Sequence, residues 1–193
     1  QALHIDPRGR LWVGTSAGGL ARYDAATDSF VVASGAKGTA VSAITDDPKG
    51  GLWVGTESGL QHVDARHNQL TPLSAAEAEG LPPGGVQAVL TDRDGSLWVG
   101  TRHGLWNRKS ATTHFTAWPL VTPEESEPAV TSLFQDSAGR IWIGTHAHGA
   151  YLFEAGATHE VRETTATATL QSDSVLAITE AMPGEIWIGT DGG

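Results

Sequence analysis

The chain has 193 residues, 39% hydrophobic and 18% charged, with 12 basic against 22 acidic side chains and a net charge of −10. That charge repels a phosphate backbone, so nucleic acid is not an expected partner. No apolar run approaches the roughly twenty residues of a membrane span, and the absence of cysteine excludes disulfides and thiolate metal sites.

In chain order, the first recognisable turn is Asp6-x-x-Gly9, where an Asp can bond its own backbone and a Gly accepts positive φ. A strand "LWVGT" follows, with Leu11 and Val13 on one side and Trp12 on the other. A short Gly-containing loop leads to "GLARYD" and then to a weaker strand, "SFVVAS". The next unit opens with "VSAI", a β-prone segment alternating with small residues, and repeats the series: turn, "LWVGT", "GLQHVD", "QLTPLS". The third reads "VQAV", "LWVGT", "GLWNRK", "HFTAWP"; the fourth "VTSL", "IWIGT", "GAYLFE", "HEVRET". The fifth has "VLAI" and "IWIGT", followed by "DGG".

The repeat is exact enough to align without gaps over its first half. Trp12, Trp53, Trp98, Trp142 and Trp187 lie 41, 45, 44 and 45 residues apart. Each is preceded at three positions by Gly9, Gly50, Gly95, Gly139 or Gly184, and at six by Asp6, Asp47, Asp92, Asp136 or, in the last copy, Ala181. Four strands every ~45 residues make a propeller blade, a sheet that must be covered on both faces by its neighbours. The expected fold is therefore all-β: a β-propeller fragment of four four-stranded blades plus the first two strands of a fifth. Residues 1–193 form one segment, with blades at about 1–37, 38–82, 83–126, 127–171 and a partial blade at 172–193. The five tryptophans are expected to form the blade-to-blade core. The Gly two residues after each is expected to admit a neighbouring backbone.

Gln1 is not an initiator and no signal peptide precedes it, which suggests a processed or truncated start. The clipped first unit and the half-complete fifth point to a piece of a larger ring rather than a closed four-bladed ring carrying an extra ribbon. Its open faces would meet further blades of the same protein, or one another in self-association.

Function is expected where the copies differ. The loop between the second and third strands of a blade lies on the same face as the loop joining one blade to the next. There the copies carry Ser16, Glu57, Arg102, His146 and Asp191, with His103 and His148 beside them. Arg, His and carboxylates around a channel suit a small polar ligand; exposed hairpin residues tolerant of any polar type are the plainer reading. His103, His146 and His148 raise a metal site, but no cysteine is available and loop spacing does not impose ligand geometry, so neither metal nor cofactor is assigned. Trp106 and Tyr151 hold matching places in adjacent third strands, where they can stack on a sugar ring or pack between blades. The acidic loop "TPEESEP" (122–128) reads as a solvated connection. "GTSAG" (14–18) has the spacing of a hydrolase nucleophile elbow, but that motif needs a strand-to-helix turn and here two strands flank it. No catalytic residue is assigned.

The stretch "GLPPGGVQAVLTDRDGSLWVGTRHGL" (80–105) resembles the two-component regulator propeller repeat, and the resemblance extends over essentially the whole chain. Ala181 for Asp, Gly149-Ala150 for Gly-Leu, and the lack of the Leu-Pro turn at the other blade junctions depart from it. The resemblance implies the periplasmic or extracytoplasmic sensory part of a membrane histidine kinase, hybrid kinase or diguanylate cyclase, responding to an oligosaccharide or other small polar ligand without catalysis. A protein-interaction scaffold is the alternative. A metal-dependent lyase, known on seven-bladed propellers of similar outline, is a third.

Overall fold

The computed structural model describes residues 1–64, 68–120, 127–154, 157–160 and 172–192. Among these residues there are eighteen strands in five sheets and no helix. The first blade is β1 (Ala2–Ile5), β2 (Leu11–Gly14), β3 (Leu20–Asp24) and β4 (Ser29–Val32). The second is β5 (Val41–Asp46), β6 (Leu52–Thr56), β7 (Gly59–Asp64) and β8 (Gln69–Pro72). The third is β9 (Val86–Thr91), β10 (Leu97–Thr101), β11 (Gly104–Arg108) and β12 (Thr116–Trp118). The fourth is β13 (Val130–Gln135), β14 (Ile141–Thr145), β15 (Ala150–Glu154) and β16 (Ala157–Glu160). The fifth sheet pairs β17 (Val175–Met182) with β18 (Glu185–Thr190). Every sheet is an antiparallel meander in chain order, so the chain is a propeller segment of four four-stranded blades and the first two strands of a fifth. The strand expected at "HEVRET" begins earlier, at Ala157, and the rest of that stretch lies outside the described residues.

The first strands of successive blades adjoin, β1 to β5, β5 to β9, β9 to β13 and β13 to β17, which places them innermost. The alternation in "LWVGT" decides how blades stack. Trp12 is fully buried against Leu52 and Val54 of the next blade. Trp53 packs with Leu97 and Val99, and Trp98 with Ile141 and Ile143. Each tryptophan thus faces forward, and the aliphatic pair on either side of it faces back.

A second contact recurs at every junction. The valine opening each blade is buried, and it sits where the preceding blade's Trp-x-Gly leaves no side chain. A Cβ on Gly55 would lie 2.8 Å from Val86 Cγ1, one on Gly100 2.6 Å from Val130 Cγ1, and one on Gly144 2.6 Å from Val175 Cγ1. The Gly14–Val41 pair repeats the arrangement. The glycine therefore admits a side chain, whereas a neighbouring backbone was expected.

Burial of the five tryptophans is uneven. Trp12, Trp53 and Trp98 are buried and Trp142 is partly so, but Trp187 is 61% exposed. This corrects the expectation that all five are core: among the described residues no sheet covers the forward face of the fifth. Leu3 and Ile5 on the backward face of the first blade are exposed for the matching reason.

The Asp of each turn does more than turn the chain. Asp6 Oδ1 accepts the backbone N–H groups of Arg8 and Arg10, while Oδ2 accepts the Trp12 indole N–H at 3.0 Å and the Arg10 Nε–H at 2.6 Å. Asp92 accepts the Trp98 indole, and Asp136 that of Trp142 with the Arg140 guanidinium. Burial by itself would raise the Asp6 and Asp136 carboxyls, but the indole and arginine hydrogen bonds outweigh it and hold both below the usual aspartate range. In the fifth sheet, where Ala181 stands in place of Asp, neighbours share the task. Glu180 accepts the Gly184 N–H of the turn and also Ser137 of the preceding blade, and Glu185 accepts the Trp187 indole.

Candidate ligand site on the loop face

The threonine ending each "Trp-x-Gly-Thr" fixes the hairpin that carries the variable residues. Thr56 Oγ1 donates to the Gly59 carbonyl at 2.7 Å, Thr101 to Gly104 at 3.2 Å and Thr145 to Gly149 at 2.7 Å. These threonines are buried, so the residues just after them are pushed into solvent from a rigid base. The hairpin is also tied to the incoming linker: the Glu57 N–H donates to the Ala40 carbonyl, His146 to Ala129 and Asp191 to Ser174. The two loop sets share one face, as the strand order requires.

On that face the first three blades border an open cavity of about 520 Å³. Ser16, Glu57, Arg102 and His103 border it from three successive hairpins, and Pro82 to Gln87 border it from the linker and inner strand of the third blade. Glu57, Arg102 and His103 are exposed, and no hydrogen bond engages their side chains among the described residues. The cavity thus offers a carboxylate, a guanidinium and an imidazole to whatever enters. Gln87 adds an amide whose Oε1 is buried and has no partner among the described residues.

His146, His148 and Asp191 do not border this cavity. His146 Nδ1 lies 3.0 Å from Ser174 Oγ, and His148 Nδ1 lies 3.2 Å from the His146 carbonyl. Between them Ala147 adopts φ 67°, a left-handed conformation that disfavours a residue with a Cβ. No group of three His, Asp or Glu side chains converges on a common point among the described residues. Tyr151 is 3% exposed within the junction between the third and fourth blades, and Trp106 packs against the junction between the second and third with its indole N–H buried. Both take part in inter-blade packing, Tyr151 buried and Trp106 partly so. Ser16 of "GTSAG" sits in a hairpin between β2 and β3, with no helix following. Of the acidic loop, residues 122–126 lie outside the described part.

A second polar groove, invisible in the motif pattern, lies between the second and third blades. His62 Nε2 is 3.0 Å from Asp47 Oδ2, the His62 ring is 4.7 Å from that of Trp53, and the Arg108 guanidinium stacks over Trp53 at 4.6 Å. His62 and Arg108 come from third strands of adjacent blades, where the repeat alignment gave them no distinction.

The two-component regulator propeller model matches residues 35–58, 80–103, 125–147 and 169–192. Each match runs from a blade junction through the first two strands and ends within the variable hairpin. No curated protein matches the chain at a significant level. Among solved structures, the extracellular domain of a protein described as a hybrid two-component system from B. thetaiotaomicron is 24% identical, with a TM-score of 0.73 over 98% of this chain and 25% of that one. PorZ, a surface component of the type-IX secretion system of Porphyromonas gingivalis, is 19% identical with a TM-score of 0.73, over 100% of this chain and 31% of that one. A catalytically inactive variant of virginiamycin B lyase from Staphylococcus aureus is 14% identical with a TM-score of 0.67, over 98% of this chain and 62% of that one. The chain spans a quarter to a third of the first two proteins, and these likenesses establish the propeller fold. With the model matched four times and the Gly, Trp and Thr of the repeat in the structural roles described, the chain carries four two-component regulator propeller repeats.

Proposed function

We propose that this chain is part of the extracytoplasmic, non-catalytic sensory propeller of a membrane signalling protein, and that its loop face receives a small polar ligand such as an oligosaccharide. The observation that carries the reading is the cavity of about 520 Å³ where Glu57, Arg102 and His103 converge from two neighbouring hairpins with unengaged side chains. The repeat family supports the signalling context. The extracellular position of the B. thetaiotaomicron domain supports placement outside the cytoplasm. Charged and hydrogen-bonding groups around a cleft are suited to reading hydroxyls and ring oxygens, where buried donors and acceptors reject ligands that leave them unpaired. A ligand that favours one arrangement of the receptor shifts its population toward the signalling state.

The test is a melting-temperature screen of the intact protein against neutral and acidic oligosaccharides. A ligand at a hundred times its Kd adds about 2.7 kcal/mol of stability by mass action. The expected result is a stabilising saccharide whose effect disappears when Glu57, Arg102 and His103 are together replaced by alanine. A saccharide that stabilises the triple variant as much as the parent would place recognition elsewhere.

A further inference from the structure

Arg108 stands at the inner wall of a groove of about 640 Å³ between the second and third blades, away from the loop face. Its guanidinium carbon lies over two aromatic rings, 4.6 Å from the Trp53 centroid and 5.0 Å from that of Phe115. Stacking of this kind fixes the plane of the fork while leaving its edge N–H donors directed along that plane. Among the described residues none of those donors makes a hydrogen bond or an ion pair, although the side chain is half-buried. Its donors are not sealed off from solvent, so a ligand entering the groove can reach them.

The nearest carboxylates are already engaged. Asp47 accepts from His62 and from the Lys49 backbone N–H, and Glu77 accepts from both the backbone and hydroxyl of Ser74. They act on Arg108 by field alone, at distances beyond an ion pair. Lys49 and Lys109 also border the groove, so Arg108 is one of three cationic side chains set among its carboxylates. Glu79 and Asp94 border it as well, and both are exposed. They oppose the entry of a long polyanion, whose many charges would meet them, more than that of a compact anion with one or two.

We propose that this groove is a binding site for a small carboxylate, which the Arg108 fork receives through paired N–H···O bonds. The planar guanidinium matches the two oxygens of a carboxylate, a geometry an ammonium cannot offer. Lys49 and Lys109 supply counter-charge for a second carboxylate on the same molecule. The site is separate from the loop-face cavity, so either reading can fail without the other.

Succinate is a suitable probe, with succinamide as its uncharged isostere. In the intact protein, titration is followed at the Arg108 Nε–Hε resonance by NMR. The expected result is a saturable shift with succinate and none with succinamide. Arg108→Lys, which keeps the charge and removes the fork, should weaken succinate binding by about tenfold or more. No saturable shift at Arg108 up to about 50 mM succinate, a concentration that would leave only a very weak affinity, overturns the proposal. So does an equal response to succinamide, or unchanged affinity in a folded Arg108→Lys protein. If that variant does not fold, the comparison of the two probes on the parent decides.

Discussion

Gly100 and Val130 meet across a blade junction so closely that a Cβ on the glycine would lie 2.6 Å from Val130 Cγ1 and 2.9 Å from its Cβ. The contact is with a β-branched side chain fixed on a buried inner strand, which cannot swing aside as a flexible tip would. Gly100→Ala should therefore destabilise the fold by about 1–3 kcal/mol through overpacking. Gly189 is the internal control: the nearest atom to its Cβ would be the Ala177 carbonyl at 3.9 Å. In residues 1–193 alone, Gly189→Ala should stay within about 0.5 kcal/mol of the parent segment, whereas in the intact protein the leading valine of a further blade would bring its cost to that of Gly100→Ala. Urea denaturation of the two variants measures the difference, and equal effects would mean that the glycine is retained for its backbone alone.

Asp136 is fully buried and gathers the Trp142 indole, the Arg140 guanidinium and the Arg140 backbone N–H. Asp136→Ala leaves those donors unpaired and should cost about 2–3 kcal/mol. The pH dependence follows from the depressed carboxyls of Asp6 and Asp136. An acid whose pKa is lower folded than unfolded stabilises the fold fully above the ordinary value, here 3.8, and loses that contribution as pH falls through the folded value. Unfolding free energy should thus decline below about pH 4, with a shallower decline in the Asp136→Asn variant. A parent and variant with parallel profiles would remove Asp136 from the account.

Ala147 holds φ 67° in the loop between His146 and His148. Left-handed backbone costs a residue with a Cβ about 1–2 kcal/mol, partly offset in glycine by the greater entropy of its unfolded chain. Ala147→Gly should raise stability by roughly 0.5–1 kcal/mol. A loss of stability on thermal melting would indicate that the loop takes another conformation.

Much of this was legible in sequence because repetition turns a single reading into five. The Trp spacing, the Asp-x-x-Gly turn and the alternation in "LWVGT" specify strands, hairpins and the direction in which each blade faces. Sequence also put the variable hairpins on one face, and Glu57, Arg102 and His103 do border a common cavity there. What it could not give was the contact across a junction. The Val that opens a blade and the Gly that receives it are 27 to 31 residues apart in the chain, and no pattern within one unit joins them. The Asp-to-Trp hydrogen bond was likewise hidden, although its constant six-residue spacing, one hairpin's length, was in view. The stacking of Arg108 on Trp53 had no signal at all, because it joins non-equivalent positions of two different repeats. Trp187 differs from its four counterparts in its exposure, which the "IWIGT" phrase it shares with Trp142 does not reveal.

The uncovered forward face of the fifth sheet carries Trp187 at 61% exposure, with the complementary Leu3 and Ile5 bare on the backward face of the first blade. Four junctions within the chain show what such a face takes: the aliphatic pair and leading valine of another blade of this repeat. In the intact protein Trp187→Ala should then cost about 3–5 kcal/mol, as Trp98→Ala should. A cost below about 1 kcal/mol at Trp187 alone would mean that the face stays open.

The most direct test of the sensory reading is hydrogen exchange of the intact protein with and without a saccharide found to stabilise it. The account predicts protection concentrated in the segments that border the loop-face cavity, residues 40–42, 57, 84–87 and 101–103. Protection confined to other surfaces, or absent from these segments at saturating ligand, would contradict it.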